Sequence, residues 1–350
     1  MKFLHMVTVV GMVAAAGCAE PAASGDGTPL APTLRGDGSE SAMEMVYGME
    51  HGDREGCRSP GFRQFDFWLG DWSITGGDGN PAGASRITRD LGGCGVLEFY
   101  NGGSGRSISH FDRHTRLWHQ DYVDATGFSL RLFGSFAQGE MRMQDSVRAI
   151  PNGPSLLSKF TWTPNPDGTV RQLWEFSLDG GASFFVNFNG LYTADPAYAP
   201  PAPPLATTCI ALPAYRAADG LLGTWQVTTE RGERLGTTTL TLTTGDCLIE
   251  EVFRGRDGFL LQSFLYYDRF VAAWRRVQVD NRANSLHLGG GFDGPDLQMT
   301  GLVSGPRGRT RALRLTWTPS GADRLVQRWE EQQPDGSWHH RAELQWARDS

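Results

Sequence analysis

"FDFWLGDWSI", residues 65–74, returns in altered form as "DGLLGTWQVT", residues 219–228. Both hold Leu-Gly-x-Trp, with Trp72 and Trp225 standing 153 positions apart. Cys94 with Cys247 and Glu98 with Glu251 keep that offset, while Asp112/Asp268, Trp118/Trp274 and Asp124/Asp280 stand 156 apart. "TWTP" at 161–164 recurs at 316–319, and Gln172, Trp174 and Glu175 recur as Gln327, Trp329 and Glu330, all at an offset of 155. Ordered matches with small drifts are what duplication followed by loop insertion leaves. The chain reads as two homologous domains.

Within each copy the side-chain pattern has a period of two. "RLWHQDYVD", "EMRMQDSVR", "SLLSKFTWT" and "RAELQWARD" alternate or nearly do, and "NPDG", "LDGG" and "QPDG" supply turns between them. Ten strands are expected in the first copy, near 66–74, 84–91, 94–100, 105–111, 116–124, 127–134, 140–149, 155–163, 169–177 and 183–193. No stretch carries the pattern of an amphipathic helix. Short connections make consecutive strands antiparallel neighbours, and closure removes the exposed edges. The expectation is an all-β chain of two tandem antiparallel up-and-down β-barrels, about ten strands each and wide enough to hold a small ligand.

The domain edges follow from composition. Residues 1–17 read as a signal peptide: Met1-Lys2 is a short positive region, and the apolar run Phe3–Ala16 falls short of the ~20 residues a membrane-spanning helix needs. Ala15-Ala16-Gly17-Cys18 resembles the lipobox of bacterial lipoproteins, which implies lipid on Cys18 and a place on the cell envelope, facing the periplasm or the exterior. Residues 18–58 read as a flexible tether, 59–194 as the first barrel, 195–208 as a Pro-rich linker and 209–350 as the second barrel. The two barrels are expected to share no sheet and to fold separately, in a monomer.

Cysteine usage fits an oxidising compartment. Besides Cys18 there are Cys57, Cys94, Cys209 and Cys247, spaced by 37 and 38 within the two copies. Four cysteines allow three pairings, and the repetition favours Cys57–Cys94 with Cys209–Cys247. No Cys-x-x-Cys pair occurs, and no metal or cofactor is called for. A net charge of −7 without a basic stretch gives nucleic acid no surface to bind.

A first strand with Gly-x-Trp opening a meander barrel resembles the calycin group: lipocalins, fatty-acid-binding proteins and nitrobindin-like barrels. More closely, "FDFWLGDW", "GCGVLEFYNGGSGRSISHFD", "WHQDYVD" and "RQLWE" resemble a family of uncharacterised bacterial secreted domains that open on the same phrase. The resemblance implies a barrel with an interior site and names no activity. The arginine that lipocalins place late in the barrel against the first-strand tryptophan is missing from the last strand of copy one, "FFVNFNGLYTAD".

Four tryptophans recur as pairs: Trp72/Trp225, Trp118/Trp274, Trp162/Trp317 and Trp174/Trp329. They suit either a plugged floor or the wall of an aromatic pocket. Polar residues recur in phase with them. One face of the central strand carries Trp118, Gln120, Tyr122 and Asp124 in copy one and Trp274, Arg276, Gln278 and Asp280 in copy two. Gln172 and Gln327 share a face with Trp174 and Trp329. The candidate ligand-binding set is therefore Trp118, Gln120, Tyr122, Asp124, Gln172 and Trp174, with Trp274, Arg276, Asp280, Gln327 and Trp329 in copy two. Arg276 is read as paired with Asp280 and closing its own site, which makes copy one the better binder.

His110, His114 and His119 fall on one hairpin, where the odd step between His110 and His119 suggests opposite faces. No nucleophile elbow, zinc-protease motif or phosphate loop occurs. Glu98, Asp124 and Glu175 are the acids an enzyme could draw on, while Asp112 reads as a turn residue. The leading expectation is a lipid-anchored protein binding a small, largely apolar molecule. The alternatives are an enzyme on a lipophilic compound inside one barrel, or a structural envelope module with plugged barrels.

Overall fold

Leu-Gly-x-Trp is the joint between a plug and a barrel wall. Gly70 and Gly223 take φ angles of 144° and 114°, a region that favours glycine because no Cβ obstructs it. There the chain turns from a short 3-10 segment into the first strand. The Trp72 indole N–H then donates back to the Trp68 carbonyl at 3.0 Å, and that of Trp225 to the Leu221 carbonyl at 2.9 Å. The computed structural model describes residues 56–149, 153–202, 208–256, 258–304 and 310–349. The signal segment, Cys18 and nearly all of the tether lie outside the described residues, as do 203–207 of the linker.

The first copy comprises β1 (Gly70–Gly76), β2 (Pro81–Asp90), β3 (Gly95–Tyr100), β4 (Gly105–Asp112), β5 (Leu117–Asp124), β6 (Ser129–Ala137), β7 (Glu140–Gln144), β8 (Arg148–Ala149), β9 (Ser155–Pro164), β10 (Val170–Ser177) and β11 (Phe185–Ala194). Consecutive strands pair antiparallel from β1 to β7; β7 then pairs with β9, β9 with β10, β10 with β11, and β11 returns to β1. The result is a closed ten-stranded ring with the two-residue β8 beside β9. The second copy comprises β12 (Gly223–Thr229), β13 (Arg234–Thr243), β14 (Leu248–Gly255), β15 (Leu260–Asp268), β16 (Ala273–Asp280), β17 (Ser285–Asp293), β18 (Asp296–Ser304), β19 (Thr310–Gly321), β20 (Arg324–Gln332) and β21 (Trp338–Arg348), a closed barrel in sequence order. The chain is all-β with two antiparallel barrels, as its alternation predicts.

The first strand begins later than its pattern suggests. Asp66–Trp68 forms a 3-10 turn rather than strand. Side chains three apart share a face in such turns, and Phe62, Phe65 and Trp68 accordingly all enter the barrel end and are buried. Phe65 stacks on Trp68 at 4.9 Å and meets Trp118 and Trp162 edge-on at 5.5 and 5.3 Å. The second copy places Tyr215, Ala218 and Leu221 at the matching positions. Tyr215 packs against Tyr267 and donates to the Gly127 carbonyl, while Ala218 and Leu221, smaller than Phe65 and Trp68, leave a cavity of about 210 Å³ at that end, bordered also by Trp225, Trp317 and Arg348. In the second barrel an arginine of the last strand does stand against the first-strand tryptophan, with Arg348 over the Trp225 ring at 4.2 Å.

Disulfides Cys57–Cys94 and Cys209–Cys247 tie each plug to the residue preceding its third strand, across 37 and 38 residues. Each closes a loop whose restraint of the unfolded chain contributes about 3–4 kcal/mol in the chain-entropy picture.

The barrels have separate sheets but a common apolar seam. Outer-face residues Ile108 and Val123 of the first barrel belong to one buried cluster with Leu248, Phe264, Tyr266, Val277 and Val279 of the second. Polar contacts run across it: Tyr266 Oη donates to Asp121 at 2.6 Å, and Arg106 pairs with Glu250 at 2.9 Å. The described residues accordingly fall in a single compact unit. Within the linker, Pro201 and Ala202 pack against Gly102, where a Cβ would collide with the Pro201 carbonyl.

Candidate functional site

The interior of the first barrel is aromatic at the bottom and polar above. Trp72, Trp118 and Trp162 lie buried around the plug, and the Trp118 indole N–H donates to Gln64 Oε1 at 3.1 Å. One wall then climbs as a ladder of rings, with Trp162 to Phe160 at 5.4 Å and Phe160 to Trp174 at 5.1 Å, both stacked. Above the plug lies a cavity of about 170 Å³ bordered by Glu98, Tyr100, Gln120, Tyr122, Gln172 and Trp174, together with Leu130, Phe160, Asn187, Phe188 and Tyr192. Strand alternation delivers these groups: β3 sends Glu98 and Tyr100 inward, β5 Gln120 and Tyr122, and β10 Gln172 and Trp174.

Of the six residues expected to form the site in this copy, four border the cavity: Gln120, Tyr122, Gln172 and Trp174. Trp118 sits below, in the plug contacts already described. Asp124 stands at the strand end and accepts the backbone N–H groups of Thr126 at 2.8 Å and Phe128 at 3.1 Å. Such capping is the ordinary use of an aspartate at a turn.

Glu98 is the buried acid of the site. Its carboxylate accepts from Ser85 Oγ at 3.1 Å and Ser107 Oγ at 3.0 Å. Burial pushes its pKa up to about 7, the two serine bonds and Arg106 opposing that rise. The Gln120 amide donates to Ser109 at 3.0 Å and Ser107 at 3.4 Å, and Gln172 Oε1 accepts from Tyr192 Oη at 2.5 Å. Burial keeps the phenols of Tyr100, Tyr122 and Tyr192 protonated, their pKa values raised. Among the described residues the indole N–H of Trp174 meets no hydrogen-bond partner. The cavity thus combines ring faces, amides, phenols and one carboxyl whose charge state changes near neutrality.

The second barrel fills the corresponding level. Glu251 accepts from Thr238 Oγ1 at 3.1 Å and Ser263 Oγ at 2.7 Å, as Glu98 does from its two serines. Arg276, at the position of Gln120, points its guanidinium at Glu251, 2.6 Å away, and also donates to Gln278. Its charge lies 5.2 Å from the Trp317 ring. The partner of Arg276 is therefore Glu251, not Asp280 as its strand suggests. Asp280 instead caps a turn, accepting from the N–H groups of Arg282 at 2.8 Å and Asn284 at 3.0 Å, and burial raises its carboxyl to about 6. Trp274, Gln327 and Trp329 are buried in the interior.

Glu98, Tyr100, Phe188 and Tyr192 were not in the expected set. The in-phase pair Glu98 and Tyr100, two residues apart beside a recurring acid, is the signal that marks the first two. The histidines also differ from expectation. His110 and His119 are direct cross-strand partners on β4 and β5, so their rings share the outer face and stack at 5.2 Å. His287 of the second barrel lies 5.2 and 5.0 Å from them. Among the described residues no group of His, Cys, Asp or Glu has the geometry to hold a metal.

No family model and no curated protein matches the chain. Among solved structures it is similar to a DUF3598-family protein of unknown function from Nostoc punctiforme, at 11% identity over 83% of this chain and 100% of that one, with a TM-score of 0.18. It is also similar to a bifunctional dehydratase-cyclase domain of ambruticin biosynthesis, at 14% identity over 61% and 74%, TM-score 0.14. A third is a transferrin-binding protein B mutant from Haemophilus parasuis, at 10% identity over 76% and 65%, TM-score 0.15. At these values no function passes to this chain, and its own residues carry the reading.

Proposed function

We propose that the first barrel binds a small, largely apolar molecule, in a protein held at the bacterial envelope by lipid on Cys18. One observation carries the reading: the cavity of about 170 Å³ inside that barrel, with rings for an apolar body and amides and a carboxyl for a polar end. Apolar cavities of about 150 Å³ take up a single benzene-sized ring, which sets the scale of the guest. The two disulfides suit an oxidising compartment. The second barrel, with Arg276 in the matching space, serves as its structural partner.

Native mass spectrometry of the protein purified from its own envelope should show a bound molecule of low mass. Trp174→Ala removes a cavity wall and should weaken binding at least tenfold, and Gln120→Leu should weaken it severalfold. Both thermal midpoints should stay within a few degrees of the parent. A fall in stability with unchanged affinity would assign both side chains to packing and leave the reading without its site. Catalytic turnover of the bound molecule, lost in Glu98→Gln, would favour the enzyme reading, because a carboxyl near 7 suits proton transfer. Mass analysis of the N-terminal peptide should find acyl groups on Cys18, and Cys18→Ser should release the protein from the membrane.

A further inference from the structure

The duplication supplies an internal comparison of one site in two states. Glu98 and Glu251 are equivalent carboxylates, at the same offset as the Leu-Gly-x-Trp phrases. Each is buried, and each is held by one hydroxyl from the preceding strand and one from the following strand. The second barrel completes the arrangement with the guanidinium of Arg276, which reaches Glu251 across Ser263. In the first barrel Gln120 occupies that position, and its amide turns to Ser107 and Ser109 instead of Glu98. What remains beside Glu98 is open space walled by Tyr100, Tyr122, Phe160 and Trp174.

We infer that the first barrel takes ligands bearing a small cationic head, a protonated amine, amidine or guanidinium, which sits beside Glu98 where Arg276 sits beside Glu251. This deepens the reading of that cavity as a ligand site and rests on it. A buried carboxylate without a cation is costly, and a partner with good hydrogen bonds offsets that cost. Ring faces add to the attraction, because their negative quadrupoles favour a cation. Arg276 shows the same preference in the second barrel through its place 5.2 Å from the Trp317 ring.

No cation inside the first barrel competes for Glu98 among the described residues. The charged and titratable groups that sense it are Tyr100, Tyr122, Tyr192 and Arg106. Arg106 faces outward from β4 and is engaged by Glu250 of the second barrel at 2.9 Å. Burial holds the Glu98 carboxyl near 7. An approaching cation pulls that value down, so binding releases a proton below neutrality and strengthens as pH rises through about 7. The apolar remainder of the ligand, one ring or its equivalent, lies against Phe160 and Trp174.

The test uses the full mature chain and four probes of one shape: benzylammonium, benzamidinium, benzyl alcohol and benzoate. Calorimetry at pH 8 should find the two cations at least tenfold tighter than benzyl alcohol, with benzoate weakest and the preference shrinking towards pH 5. Glu98→Gln, close in shape, should erase the preference, so that the two cations bind no tighter than benzyl alcohol does to the same variant. Gln120→Arg, which writes the second barrel's residue into the first, should abolish binding of every probe without lowering the thermal midpoint. Equal affinity for benzylammonium and benzyl alcohol, or a preference that survives Glu98→Gln, overturns the inference and leaves the apolar-ligand reading intact. If no probe binds a chain that melts cooperatively, both fall together.

Discussion

Glu98 and Glu251 meet the same difficulty, a carboxylate removed from water, with different means. Glu251 is met by the Arg276 guanidinium at 2.6 Å; Glu98 has no such partner, and burial pushes its carboxyl up to about 7. Truncating one partner of a buried pair leaves the other uncompensated, so Arg276→Met should cost about 3–5 kcal/mol in urea unfolding, and adding Glu251→Gln should restore most of it. A loss under 1 kcal/mol for Arg276→Met would mean that the pair holds nothing together. The recurrence of both acids is plain in the sequence, and so is the Gln/Arg difference that separates the two interiors. The choice of partner is not. Arg276 and Asp280 lie on one strand face, but four residues of strand span about 13 Å, beyond the reach of a guanidinium. The true partner comes from two strands away, a relation fixed by register and closure rather than by local spacing.

At the scale of the element, the repeated phrase governs how a barrel is closed at one end. Alternation marks the ten strands of the first copy, but it also extends the first strand over "FDFW", which is not strand. Phe62, Phe65 and Trp68 follow a period of three, and that spacing is legible once a 3-10 plug is considered. The size of the plug residues then decides which barrel is sealed there. Phe65 is fully buried and touches Trp68, Trp118 and Trp162, so Phe65→Ala should cost about 3–5 kcal/mol through lost transfer energy and an unfilled cavity. Since Trp162 stacks beneath Phe160 in the cavity wall, the same change should also loosen binding in the cavity above. Denaturant midpoints and affinity for benzyl alcohol, measured together, check both. A loss below 1 kcal/mol would show that the plug does not seat as described.

The whole molecule is more than two barrels on a linker. Read as separate units, the copies would expose the outer faces of β14 to β17, yet Leu248, Phe264, Tyr266, Val277 and Val279 point there and are buried. A strand apolar on both faces is a strand covered on both, and "LLQSFLYY" carries that mark. The sequence does not say what covers it, since any partner would leave the same pattern. In the seam the stacked His110 and His119 meet His287, with Asp121, Arg131, Tyr266 and Arg275 around them. Burial lowers the pKa of His110 and of His287 well below the ordinary value, and that of His119 as well. The folded chain therefore holds these imidazoles neutral, while the unfolded chain protonates them below about pH 6.5. It follows by linkage that their contribution is complete above that pH and declines as the pH falls from there towards the folded-state values. Glu98 and Asp280 act in the opposite direction, because their raised carboxyl pKa values favour the folded state as acid neutralises them. A single stability profile mixes the two effects, and a difference between variants separates them. His287→Gln removes one titrating group from the seam and leaves both carboxyls in place. The thermal midpoint of that variant should gain on the parent by several degrees between pH 7.5 and pH 5. A difference that stays flat over that range would show that the seam admits the charged imidazole, and that its histidines do not govern how the barrels hold together in acid.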